Sequence, residues 1–122
     1  MILLDTSVWI DHLRKRDADV ETLLENRDIL VHSFVIGEVA LGPMKQYDLV
    51  IATLAELPQA KIAADTDVLF LIKQHQIIGT GIGYVDAHLL ASAKLTPGTL
   101  LWTRDKRLKQ VAEAMQIASA LS

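Results

Sequence analysis

Three short, largely apolar runs most constrain what this chain can fold into. Ile2-Leu3-Leu4, residues 29–32 and residues 99–103 are too short for helices and are apolar on consecutive positions rather than alternate ones. Strands buried on both faces read this way. Between them the pattern switches to helical spacing over residues 6–13, 18–25, 34–41, 47–57, 65–77, 84–95 and 106–115. The last is the cleanest, with Leu108, Val111, Ala112 and Met115 at i, i+3, i+4 and i+7. Gly42-Pro43, Pro58 and Pro97-Gly98 punctuate the helices, and Ser33 stands where a cap for the 34–41 helix is needed. Residues 61–63 and 117–121 read as two further short strands. The expectation is one α/β domain over residues 1–122, with a mostly parallel central sheet of about 4–5 strands and helices on both faces.

Composition narrows the class. The chain has 122 residues, 12 Lys and Arg against 15 Asp and Glu, a net charge of −3 and no Cys. Disulfides, thiolate metal sites and cysteine nucleophiles are excluded. The acidic balance disfavours a protein that coats nucleic acid through a basic stripe. No apolar run approaches the ~20 residues of a membrane span, and the first residues lack a basic leader, so a cytoplasmic protein without membrane contact is expected.

The acids stand in telling places. In parallel α/β sheets the functional crevice lies beyond the carboxyl ends of the strands. Asp5 closes the first strand and Asp105 closely follows another, so both point to one rim. Glu38 has Phe34, Val35, Leu41 and Gly42 as its helical neighbours, and Asp86 has Ile82, Gly83, Leu89 and Leu90, so both interrupt apolar faces. Each acid also has an ordinary explanation, as an N-cap, a dipole acid or a solvated helix residue. If all four converge, six pairs at roughly 7 Å and an effective dielectric of about 20 repel by ~14 kcal/mol as an upper bound. That rivals a whole domain's stability, so such a cluster must bind cations or protonate. An all-oxygen set suits Mg²⁺ or Mn²⁺, which activate water in phosphodiester cleavage.

Other features carry less. The run Gly79-Thr80-Gly81-Ile82-Gly83 lacks the third glycine of a dinucleotide fingerprint and reads as a flexible lead into the Asp86 helix. The four His lack metal-ligand spacing. Arg104, Lys106, Arg107 and Lys109 form the densest basic group, read either as a solvated face or as a rim attracting RNA. Trp102 reads as core; so does Trp9, which with Tyr47 is also a candidate for a protein-contact surface.

Together, Leu4-Asp5-Thr6-Ser7-Val8, the stretch from Ser33 through Glu38 to Gly42, Gly83-Tyr84-Val85-Asp86-Ala87 and Trp102-Thr103-Arg104-Asp105-Lys106-Arg107-Leu108 resemble the successive motifs of PIN-domain ribonucleases. More closely they are similar to the VapC-type toxins of bacterial and archaeal toxin–antitoxin systems. The resemblance implies a PIN fold and a Mg²⁺- or Mn²⁺-dependent endoribonuclease leaving 5′-phosphate and 3′-hydroxyl ends. It implies that Asp5 and Asp86 are the main metal ligands, that Glu38 binds directly or through water, and that Asp105 completes the site. Ser7 and Thr103 match small hydroxyl positions that support the acids. A VapB-like antitoxin and a homodimer are implied partners, with RNA as substrate. The alternatives are a PIN nuclease of RNA processing, a PIN module without catalysis, and a receiver-like phosphate-accepting domain. The last needs an adjacent acidic pair after the first strand, where this chain has Asp5-Thr6.

Overall fold

The computed structural model describes all residues 1–122. Strand β1 (Ile2–Leu4) leads into helix α1 (Thr6–Arg14) and helix α2 (Ala18–Glu25). Strand β2 (Ile29–Leu30) follows, then helices α3 (Ser33–Ala40), α4 (Tyr47–Glu56), α5 (Asp65–Gln74) and α6 (Tyr84–Leu95). Strand β3 (Leu100–Trp102) and helix α7 (Lys106–Ala114) complete the chain order.

The strands lie parallel in the order β2-β1-β3. Ile2 is in register with Ile29 on one side and Leu100 on the other, and Leu4 pairs with Trp102. Consecutive strand residues point to opposite faces. Leu3 and Leu4 are both fully buried, so both faces are covered, as the unbroken apolar runs require. Around this sheet α1 packs on α3, α3 on α4, α5 on α6, and α6 on β3. No helix is long and apolar enough to cross a membrane.

The two outer strands shrink to single parallel bridges, Val31 with Gln59 and Leu101 with Ala118. The bridge at residue 59 replaces the strand expected at 61–63. Val31 N–H donates to Pro58 O (2.9 Å) and Ala60 N–H to Val31 O (2.8 Å). Pro58, with no N–H, suits this edge position. Past it the Lys61 carbonyl is taken by Ser92 Oγ at 2.7 Å, which draws the chain off the sheet towards α6.

The expected cap of α3 also changes. His32, not Ser33, occupies the N-cap, and its Nδ1 accepts from Phe34 N–H at 3.0 Å. This fixes the proton on Nε2, which is buried without a partner. Burial, and to a lesser extent the neighbouring His88, lower the His32 pKa to about 4. His88 in turn meets Asp65 Oδ1 at 3.2 Å through Nε2. A histidine whose folded pKa lies below its unfolded value stabilises the protein in full above pH 6.5 and loses that contribution as pH falls towards 4. Stability is therefore expected to drop by about 2 kcal/mol between pH 7 and pH 5. Urea melts at the two pH values check this, and His32→Asn should flatten the difference.

Candidate active site

Strand β1 has β2 on one side and β3 on the other, so the chain reverses its winding at the carboxyl end of β1. That is the switch point where doubly wound folds open a crevice. Asp5 stands there. Its carboxylate is buried and held by three donors: Thr6 N–H to Oδ1 (2.7 Å), Ser7 Oγ to Oδ2 (2.9 Å) and Thr103 Oγ1 to Oδ2 (2.7 Å). Asp5 is thus also the N-cap of α1. The hydroxyls of Ser7, on α1, and Thr103, just past β3, support it from two sides. They are themselves fixed, since Arg104 N–H donates to Ser7 Oγ (3.1 Å) and Asp105 N–H to Thr103 Oγ1 (3.0 Å).

Asp105 is the exposed N-cap of α7, with Oδ1 accepting from Leu108 N–H at 3.0 Å. Its capping role and its place on the rim coexist, because capping engages one oxygen and leaves the other open. Asp86 sits in the first turn of α6, half-buried, where Gly83 N–H donates to its Oδ2 at 3.1 Å. Gly79 and Gly81, at φ +78° and +86°, shape the loop that delivers it.

Glu38 corrects the apolar-face reading. It is exposed, as are its neighbours Phe34 and Leu41, while α3 buries Val35 and Val39. Its position is fixed by Thr6. Thr6 Oγ1 donates to Glu38 Oε1 at 2.6 Å, joining α1 to α3. The adjacency of Thr6 to Asp5 is the only signal for it in the sequence. Thr6→Val keeps the shape and β-branching but removes the donor. We expect RNA cleavage to fall about tenfold with little change in Tm, and Thr6→Ser to restore it, in an initial-rate assay beside thermal melts.

The four acids share one neighbourhood. Burial raises the Asp86 pKa above the ordinary carboxylate value; Gly83 N–H works the other way, and the charges of Asp5, Asp105 and Glu38 each raise it further. None of the four pairs with a Lys, Arg or His within 4.0 Å. No three acids or histidines are close enough to grip one ion directly, so water or substrate must complete any ion's shell here. This open, oxygen-only and uncompensated set fits Mg²⁺ or Mn²⁺. Such ions dehydrate reluctantly and are held by one or two carboxylates plus waters and substrate phosphates.

The basic residues divide. The Arg104 guanidinium donates to Asp11 Oδ2 (2.8 Å) and Asp17 Oδ2 (2.6 Å) and lies 5.3 Å from the Trp102 ring centroid. It ties β3 to α1 and to the cap of α2, and its hydrogen bond lowers the Asp17 pKa. Lys106 and Arg107 are exposed and have no carboxylate partner.

The PIN domain family matches residues 2–114, nearly the whole chain. The chain belongs to the PIN-domain family. It is 47% identical over 120 residues to the protein named Ribonuclease VapC32 of Mycobacterium tuberculosis, in strains CDC 1551 and H37Rv, covering 98% of this chain and 97% of each relative. This PIN domain is of the VapC type. Its fold is also that of FitAcB from Neisseria gonorrhoeae, whose crystal structure superposes with a TM-score of 0.64 at 21% identity, over 93% of this chain and 94% of that one.

Proposed function

We propose that this PIN domain is a divalent-metal-dependent endoribonuclease and the toxin of a VapBC-like pair. The carrying observation is the set of four acids around the β1 switch point, unpaired with any protein cation, in a chain 47% identical to a ribonuclease. Asp5 and Asp86 are the principal metal-holding residues, with Glu38 and Asp105 completing the site through water or a second ion.

The chain's own part in the chemistry is positional and electrostatic. Three donors prevent the Asp5 carboxylate from rotating. Thr6, next to Asp5, holds Glu38 from α3. Asp86, pushed towards its protonated form by burial and by the other three acids, is stabilised in its charged form by a neighbouring positive charge. A bound Mg²⁺ or Mn²⁺ supplies Lewis-acid polarisation of a phosphate oxygen and acidifies water. No ribose hydroxyl is needed as nucleophile, so preference for RNA rests on binding at the rim.

Apolar side chains left in water on α4 (Leu49) and α5 (Leu69 and Phe70) support protein partners, an antitoxin and a second copy of the chain. Trp9 is buried at the wall of a groove of about 410 Å³ that Leu13, Leu49 and Leu54 also line. The test is cleavage of total RNA with Mg²⁺ or Mn²⁺, against EDTA and against Asp86→Asn. Metal-dependent cleavage lost in the variant supports the reading, and equal cleavage in every sample overturns it. For the toxin role, growth arrest on induction should vanish in Asp86→Asn and on co-expression of a cognate VapB-like antitoxin.

A further inference from the structure

Arg107 crosses the glycine loop in front of α6. A Cβ built on Gly81 would stand 2.9 Å from Arg107 Nη1, 3.3 Å from Cδ and 3.4 Å from Cζ. The guanidinium and its stem therefore lie against the bare Gly81 backbone, where an added Cβ would push the arginine aside, and φ +86° independently disfavours one. Arg104, three residues away, is saturated by two carboxylates, but Arg107 has none within 4.0 Å. Beside it, between the end of α5 and α7, runs a groove of about 300 Å³. His75, Gln76, Thr80, Gln110 and Arg107 give it hydrogen-bonding groups and one fixed positive charge. No Asp or Glu lines it, in a chain with 15 of them.

We propose that this groove is an anion subsite for a phosphate of the RNA strand next to the one that is cut. Arg107 is the phosphate contact, and Gly81 is the positioning residue that sets where the guanidinium stands. The proposal rests on the nuclease reading above. Both ends of the Gly81–Arg107 contact are tied through the backbone to the acids. Arg107 lies two residues past Asp105, and Gly81 lies two before Gly83, whose N–H holds Asp86. A strand whose phosphate sits on Arg107 is therefore registered against both carboxylates. A forked guanidinium matches phosphate oxygens in a way an ammonium does not. An acidic peptide is the rival occupant.

The probe is a short mixed-sequence single-stranded RNA with a fluorescent end label. Its Kd for the Asp5→Asn protein with Mg²⁺ is measured over a range of salt, and cleavage of total RNA by the otherwise wild-type chain is followed in parallel. Arg107→Ala should weaken binding about tenfold and flatten the slope of log K against log salt by about 0.7. Arg107→Lys should restore the slope but not the affinity. Gly81→Ala should weaken RNA binding alone but add nothing in the Arg107→Ala background, whereas a merely structural role would add its cost in both. If wild-type protein cleaves RNA but the Arg107→Ala slope is unchanged, or Arg107→Ala weakens only binding to an acidic peptide, the subsite is wrong and the nuclease reading stands. If wild-type protein cleaves no RNA with either metal, the nuclease reading fails and takes the subsite with it.

Discussion

Asp5→Asn is expected to lower RNA cleavage by about 10³-fold, because it withdraws several kcal/mol of transition-state stabilisation at the most constrained of the four acids. The substitution keeps the volume of the side chain, so the protein should remain folded. It does not keep the hydrogen bonding. One oxygen now accepts from Thr6 N–H and the other from both Ser7 and Thr103 hydroxyls. An amide nitrogen accepts from neither side: towards Thr6 it would face the backbone N–H, and towards Ser7 and Thr103 both hydroxyls must turn from donating to accepting, at a cost of about 1–2 kcal/mol. Loss of a charge that repels Asp86 offsets part of that cost. The measurable signature is thus a near-total loss of rate with a Tm shift of only a few degrees. A rate within tenfold of wild type would remove Asp5 from the site.

Trp102→Ala should have the largest effect on stability. Trp102 is fully buried at the end of β3, paired in register with Leu4 and covered on one face by the Arg104 guanidinium. Removing a buried indole costs about 3–5 kcal/mol, a large part of a domain's ~5–15 kcal/mol. Thermal or urea melts measure it. Trp102→Phe should cost much less, because the indole Nε1 has no hydrogen-bond partner and Phe eliminates that orphan while filling most of the space. The residue after Trp102 is Thr103, which donates to Asp5. Cleavage by Trp102→Phe is therefore a sensitive report on whether the end of β3 holds its place. If Trp102→Ala melts within a few degrees of wild type, the packing of β3 against β1 matters less than the register suggests.

The strand ends and the acids that close them are legible in the sequence because a short run such as Ile2-Leu3-Leu4 admits few other conformations. Helix α6 follows equally directly, since Gly83 and Thr96 flank a continuous helical pattern. Helix α3 shows where local pattern runs out. Its apolar residues Phe34, Val35, Ile36, Val39 and Ala40 surround most of the helix, so spacing alone does not choose the buried face. Packing of α1 and α4 on it chooses Val35 and Val39, and Glu38 is left on the open rim. The outer strands fade for a related reason: a single bridge at Gln59 or Ala118 depends on where the rest of the chain leads, not on β propensity.

The contacts that order the four acids of the candidate site are the least legible. Thr6 reaches Glu38 across 32 positions, Thr103 reaches Asp5 across 98, and Arg104 reaches Asp11 across 93. No local periodicity encodes such pairs. The sequence carries them only as a Thr or Ser beside an Asp, a pattern too common to point anywhere until the fold brings the partners together.

We propose that the uncompensated carboxylates at the β1 switch point hold a divalent ion. Thermal melting of wild type and Asp86→Asn, with EDTA and with Mn²⁺ at neutral pH, reads this out. In EDTA the ionised Asp86 is opposed by burial and by three like charges. A carboxylate with a raised folded pKa costs stability in full above that pKa, and the cost disappears below its ordinary value. Asn keeps an acceptor for Gly83 N–H without the charge. Asp86→Asn should melt above wild type in EDTA, and Mn²⁺ should raise the wild-type Tm substantially while leaving the variant nearly unmoved. A variant that melts below wild type in EDTA and keeps the full Mn²⁺ shift would contradict it.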